Sequence, residues 1–343
     1  MSDTPKKKAL KLTSFFLLLL AIASFTWSIV SIGRGVWQLS RSKVKTVKNN
    51  PNIPNFASVP NVTPGVFNYG GSTAWASLRL AVDSVIQSER PEMQLRYVQP
   101  QNEPPGSSPG IEMLLDGKLA FVQSSRALSL RERQLAQQRG LKLQQVPVAI
   151  DSIAVAVNPQ LDISSLTLTQ LQGIYTGEIS NWQELGGADL PIKAYSRPLS
   201  TGGIVNFFSS TILGDRSFGS NVEFVSTTTQ ALRKLANNPG SIYYGSAPAI
   251  VPQCSIKPLS IVDNQEAIAP YRKPKVPASE CPQKRNQLNF EDLRNARYPL
   301  TYYLYVVFLE NEASSQVGRA YANFLLTPQG QKLIAKTGLV PLD

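Results

Sequence analysis

Three short stretches set glycine beside serine or threonine just ahead of a helical pattern. They are Tyr69-Gly70-Gly71-Ser72-Thr73, Pro105-Gly106-Ser107-Ser108-Pro109-Gly110 and Ser200-Thr201-Gly202-Gly203. A helix N-terminus leaves backbone N–H groups unpaired and carries about half a positive charge. Glycine lets an anion approach that backbone, and a hydroxyl adds a donor. Three such ends meeting at one point would replace the hydration shell of an oxyanion. Taken singly, each serine or threonine reads as an ordinary N-cap, which is the commoner use. Two further places add arginine: Gln123-Ser124-Ser125-Arg126, and Ala194-Tyr195-Ser196-Arg197 four residues before Thr201. A guanidinium fork matches a tetrahedral anion, although a lone surface arginine is usually only solvated. Arg197 is the stronger candidate because it leads directly into the third turn.

Other chemistries are closed off. The 343 residues include no histidine, which excludes Ser-His and Cys-His pairs and histidine-ligated metals. No Ser-x-x-Lys run stands beside the glycine-rich turns, so a Ser-Lys hydrolase has no support, and we read the chain as neither an enzyme nor a cofactor carrier. Two cysteines, Cys254 and Cys281, either close one disulfide, which implies an oxidising compartment, or remain two reduced thiols. With no histidine partner they do not make a zinc site.

Elements that would position these residues follow each turn. Trp75, Leu78, Val82 and Val85 recur at helical spacing, as do Ile111, Leu114 and Leu115, and Val205, Phe207, Phe208 and Ile212. Pro109 suits a first helical turn. Leu119 to Val122 reads as a strand before Ser125, and Leu190-Pro191-Ile192 precedes the Arg197 stretch. After Gly65 short apolar runs alternate with amphipathic stretches, the signature of an α/β fold. Residues 34–64 read as a linker, broken by Asn49, Pro51, Pro54, Pro60 and Pro64.

Residues 12–33 carry no charge and are long enough, at about 1.5 Å per residue, to cross a bilayer core of about 30 Å. Ala21-Ile22-Ala23 resembles a signal-peptide cleavage site, but the apolar run continues to Ile32, which favours an uncleaved transmembrane signal anchor after a basic segment at 1–11. The formal net charge is +11. The first 50 residues hold nine bases and one acid, so residues 51–343 carry +3. The basic balance therefore reports membrane flanks rather than a nucleic-acid partner.

These residues resemble the phosphate-binding proteins of ABC phosphate transporters (PstS-like), which have the type II periplasmic binding-protein fold. Gly71-Ser72-Thr73 and Gly106-Ser107-Ser108 look like the family's first two ligand turns. Ile174 to Trp182 looks like its I-F-x-G-x-I-x-x-W signature, and Pro239 to Tyr244 resembles its P-G-x-I-G-Y turn, with Tyr243 where glycine is usual. Arg197 to Gly203 resembles R-x-x-x-S-G-T, with Thr201 at the serine and Gly203 at the threonine. The tail from Tyr298 to Leu342 is similar to the family's last strand and helices. The resemblance implies two α/β lobes, 65–150 with 300–343 and 151–299, crossed by strands near Ser152–Val157 and Tyr302–Phe308. It implies a phosphate site built from Ser72, Thr73, Ser107, Ser125, Arg126, Arg197, Thr201, Gly202 and Gly203. It also implies hinge closure on the anion, with any Cys254–Cys281 bond in the second lobe, away from the ligand.

Two departures bear on selectivity. Ser125 stands where many members have an aspartate that accepts the proton of monoprotonated phosphate. A neutral hydroxyl repels nothing, so weaker discrimination against sulfate is expected. Gly203 lacks a hydroxyl donor, which predicts lower affinity. The expected role is capture of phosphate or a related oxyanion for an ABC permease, with the body outside a bacterial plasma membrane. The alternative is a membrane-anchored sensor or adaptor acting through a signalling partner.

Overall fold

Valine, isoleucine and aromatic residues concentrate in short runs, and those runs form the strands. In chain order they are β1 (Gly65–Gly71), β2 (Met93–Tyr97), β3 (Phe121–Ser124), β4 (Leu143–Val157), β5 (Ser165–Thr167), β6 (Lys193–Ser196), β7 (Val222–Phe224), β8 (Ser241–Ser246), β9 (Lys257–Pro258), β10 (Ser260–Asp263), β11 (Glu266–Ile268) and β12 (Thr301–Leu309). Helices alternate with them, and Ser315–Leu326 with Pro328–Lys336 come last. The structure, a computed structural model, describes residues 53–310 and 315–342. The expected span at 12–33 lies outside the described residues, as do the basic segment at 1–11 and the linker up to 52. Among the described residues no helix is long and apolar enough to cross a membrane.

One sheet path runs β2-β1-β3-β12-β4-β8-β6-β7, with β9 added on β4. Strand β4 joins its two halves. Residues 143–152 of β4 lie antiparallel to β12, and residues 153–157 lie antiparallel to β8. That change of partner divides the fold into two lobes. The strand expected over 152–157 is thus the second half of a longer one. Its first half contains Gln144, Gln145 and Pro147, which break the apolar pattern. Pro147 is tolerated because the ladder with β12 shifts register between Leu304 and Tyr305, and a proline lacks the donor a regular ladder needs. Strand β12 stays in the first lobe, between β3 and β4.

Asp151 sits one residue before Ser152, at this crossing, and is 3% exposed. The Tyr302 hydroxyl donates to its Oδ2 at 2.5 Å and the Ser152 N–H to its Oδ1 at 2.7 Å. Burial pushes its carboxyl up to about 6, against the pull of those bonds and of Ser246 on β8. The Tyr302 ring lies 4.3 Å from the ring of Phe207.

Each lobe has a buried tryptophan that ties a loop to the sheet. Trp75 Nε1 donates to the Ser124 carbonyl at 3.0 Å, and Trp182 Nε1 to that of Gly240 at 2.9 Å. Residues 53–64, the end of the expected linker, are not free of the body. Phe56 is fully buried, 5.4 Å from the Phe324 ring, and its N–H donates to Gln329 Oε1 at 2.8 Å. The surrounding prolines and asparagines hid a single anchoring aromatic. Cys254 and Cys281 are joined as a disulfide, with Cα atoms 5.8 Å apart.

Candidate functional site

Strand β1 is parallel to β3, so Gly71 and Ser124 end at the same edge. In open α/β sheets the crevice outside the carboxyl ends is where ligands bind. Ser72 follows β1, Ser125 follows β3, and Ser107 opens the helix Ser107–Leu115. Two close approaches bring the three together. A Cβ on Gly71 would stand 2.2 Å from the Gln123 carbonyl oxygen, and one on Gly110 would stand 2.9 Å from Gly71 Cα. Only glycines let the turn, the strand and the helix start pack this tightly. The Ser72 hydroxyl then donates to Ser125 Oγ at 2.9 Å. Ser107 and Ser125 share a hydrogen bond at 3.3 Å, and the Ser125 N–H donates to Ser107 Oγ at 3.1 Å. All three serines are buried.

The second lobe meets this cradle directly. The Thr73 hydroxyl donates to the Thr201 carbonyl at 3.0 Å. Gly202 and Gly203 have φ of +65° and +55°, and a Cβ on either would stand 3.0 Å from Thr73 Oγ1. At Gly203 it would also stand 3.1 Å from the Ala74 nitrogen. A threonine at 203 would therefore press on the first lobe. At the position that departs from the R-x-x-x-S-G-T pattern, the lobes approach closely where a side chain would stand. Between them lies a cavity of about 400 Å³, within the range of about 300–1,000 Å³ usual for small-molecule sites.

Of the nine expected ligand residues, Ser72, Ser107, Ser125, Arg126 and Gly203 line this cavity. Thr73, Thr201 and Gly202 form the contact between lobes beside it. Arg197 follows β6 and is not among the lining residues; it acts electrostatically on Tyr243 and Tyr244, whose hydroxyls burial pushes up. The strand that leads into Arg197 begins at Lys193. Residues 190–192 run as an edge held by Asn181 and Ser180.

The two arginines differ sharply in commitment. Arg126 donates through its terminal nitrogens to Glu132 Oε2 at 2.9 Å and Oε1 at 2.6 Å, to Ser108 Oγ at 2.8 Å and to the Ala127 carbonyl at 2.9 Å. Burial works to raise the Glu132 carboxyl, but hydrogen bonds from Arg126 and Ser129 outweigh it and hold it below the usual range. The fork of Arg126 is thus closed on the protein itself. Arg197 has a buried Nε with no partner. An unpaired buried donor on a cation is costly.

Sequence reasoning missed Asn206, Ser210, Phe207, Leu199 and Glu103, which also line the cavity. Asn206 had a signal: it stands three residues after Gly203, a polar break in an otherwise apolar run. Among the described residues no group of histidine, cysteine, aspartate and glutamate could hold a metal ion.

The family model for the PBP superfamily domain matches residues 58–329. The chain belongs to the PBP superfamily. This PBP-superfamily protein is 29% identical over 180 residues to the phosphate-binding protein PstS of Bacillus subtilis, an alignment covering 52% of this chain and 56% of that one. It thus matches a little over half the length of that relative. Among solved structures it is similar to an ABC-type phosphate transport receptor from Vibrio cholerae, with a TM-score of 0.64, 22% identity, and coverage of 80% of this chain and 99% of that one. It is also similar to PstS from Borrelia burgdorferi, with a TM-score of 0.59, 20% identity, and coverage of 80% and 98%. At these identities the likeness establishes the two-lobed fold.

Proposed function

We propose that this chain is a membrane-anchored solute-binding protein that captures phosphate, or a related tetrahedral oxyanion, between its lobes for ABC-type uptake. The observation that carries this reading is the meeting of three buried serine hydroxyls from three separate segments, facing Gly203 across one cavity. Turned from one another toward an anion, the Ser72, Ser107 and Ser125 hydroxyls would each donate, and the start of the helix Ser107–Leu115 adds backbone N–H groups and positive potential. Arg197, behind the cavity lining, supplies the uncommitted guanidinium, while the charge of Arg126 is balanced by Glu132. The lobe made of 65–150 and 300–343 and the lobe made of 151–299 close as bodies about the β4 crossing. Residues 12–33 anchor the chain with the body outside a bacterial plasma membrane. The Bacillus subtilis relative is named a phosphate-binding protein and the Vibrio cholerae structure an ABC-type phosphate transport receptor, and both names support the same ligand.

Calorimetric titration with phosphate and with sulfate tests the site. Both anions are expected to bind, because Ser72, Ser107 and Ser125 include no carboxylate to reject a fully ionised ion. Ser125→Asp should weaken sulfate at least tenfold more than phosphate, since like-charge repulsion acts on an ion that has no proton to share. Heat from neither anion would remove the proposal.

A further inference from the structure

An inorganic ion does not account for the whole cavity. At about 30 Å³ per water molecule, a cavity of about 400 Å³ has room for roughly thirteen waters. An ion of five heavy atoms fills only a fraction of that. Further closure cannot remove the surplus simply, because the lobes already touch along one edge. Thr73 Oγ1 is hydrogen-bonded to the Thr201 carbonyl at 3.0 Å, and a Cβ on Gly202 or Gly203 would stand only 3.0 Å from that oxygen.

The surplus space has a distinct lining. Beyond the serines, the wall includes Pro104, Pro105, Leu199 and Phe207. Leu199 is 49% exposed, one of five large apolar side chains so exposed among the described residues. An apolar side chain on the rim of an anion site gives nothing to a bare oxyanion. It does give a surface for carbon. Phe207 is braced by the Tyr302 ring at 4.3 Å, so its face is held in place. Asn206 and Ser210, also in the wall, can bond a hydroxyl on such a group.

Resting on the anion-site reading above, we infer that the ligand class extends to phosphate monoesters of small alcohols, with the phosphoryl oxygens in the serine cradle and the organic group against Leu199, Phe207, Pro104 and Pro105. A monoester keeps three terminal oxygens and its dianionic charge. Each methylene buried against the apolar wall favours binding about fourfold, the equivalent of about 0.8 kcal/mol. A site that encloses all four oxygens of the free ion behaves in the opposite way, since the ester group has nowhere to go.

The test is calorimetric titration of the full chain, held in detergent micelles, with inorganic phosphate and with propyl phosphate, repeated on Leu199→Asp. The expected result is that propyl phosphate binds within tenfold of phosphate or more tightly, and that Leu199→Asp lowers the ester-to-phosphate affinity ratio at least fivefold. If phosphate binds and propyl phosphate is more than tenfold weaker, the extension to monoesters is overturned and the anion site stands. If the ester binds but Leu199→Asp leaves the ratio unchanged, the assigned seat for the organic group is wrong. If neither ligand binds, the anion-site reading falls with it.

Discussion

The contrast between Arg197 and Arg126 yields a sharp prediction about which cation the anion feels. Arg197 has an orphaned buried Nε and makes no side-chain hydrogen bond or ion pair among the described residues. A hydrogen bond to a charged group is worth about 1.5–3 kcal/mol, so Arg197→Gln should weaken phosphate roughly 10- to 150-fold. It should change thermal stability little, because no partner is left behind. Arg126 is the reverse case. Its terminal nitrogens are spent on Glu132, Ser108 and Ala127. Removing it alone would strand the Glu132 carboxylate beside the cavity and confuse repulsion with lost contact. The double variant Arg126→Gln/Glu132→Gln removes both charges together and leaves the local net charge unchanged. It should hold phosphate affinity within about threefold while lowering stability by roughly 1 kcal/mol, the upper end for a surface ion pair, because the two side chains are only 35% and 11% exposed. Calorimetry for affinity and denaturant titration for stability read both outcomes. A double variant that loses as much affinity as Arg197→Gln would refute the assignment of roles.

Three other perturbations follow from the geometry. Gly203→Ala places a Cβ 3.0 Å from Thr73 Oγ1 at a φ of +55°; it should cost about 1–3 kcal/mol in strain and weaken phosphate, and denaturation at unchanged midpoint would contradict the proposed lobe contact. Asp151 has a carboxyl raised from 3.8 to about 6 by burial, so it binds its proton more tightly when folded. Its contribution is fully present below about 3.8 and is lost as pH rises through about 6; at 1.36 kcal/mol per pH unit this amounts to about 3 kcal/mol. Urea titrations at pH 5 and pH 7.5 should show about 1.4 kcal/mol of that loss in the wild type, the part that remains one pH unit below about 6, and its absence in Asp151→Asn. The Cys254–Cys281 bond closes a loop with a separation of 27 residues; replacing both by serine should cost about 3–4 kcal/mol by loop-closure entropy, with phosphate affinity unchanged because neither cysteine lines the cavity.

Much of the site was legible because its chemistry is local. A Ser or Thr beside glycine ahead of a helical pattern is visible in sequence, and two of the cradle residues, Ser72 and Ser107, come from such places, while Ser125 was found through the arginine that follows it at the end of a strand. The α/β alternation was legible because the period of apolar residues carries it, whereas the two-lobed arrangement came from the family resemblance. What the sequence hid depends on distance in space. Nothing local shows that Arg126 closes on Glu132 six residues later, or that Arg197 stays unpaired. The meaning of Gly203 emerged only when Thr73, far away in the chain, was seen to occupy the place of its missing side chain. Strand β4 was half-hidden because Gln144, Gln145 and Pro147 interrupt its pattern where a register shift absorbs the proline. The end of the linker was misleading in the other direction, since one buried aromatic, Phe56, outweighed a stretch of turn-forming neighbours.

Crystals grown with arsenate, a heavier tetrahedral mimic of phosphate, address the core proposal without reference to affinity. The account predicts one anomalous peak within hydrogen-bonding reach of the Ser72, Ser107 and Ser125 hydroxyls. A peak at some other surface, or none at saturating arsenate, would contradict it.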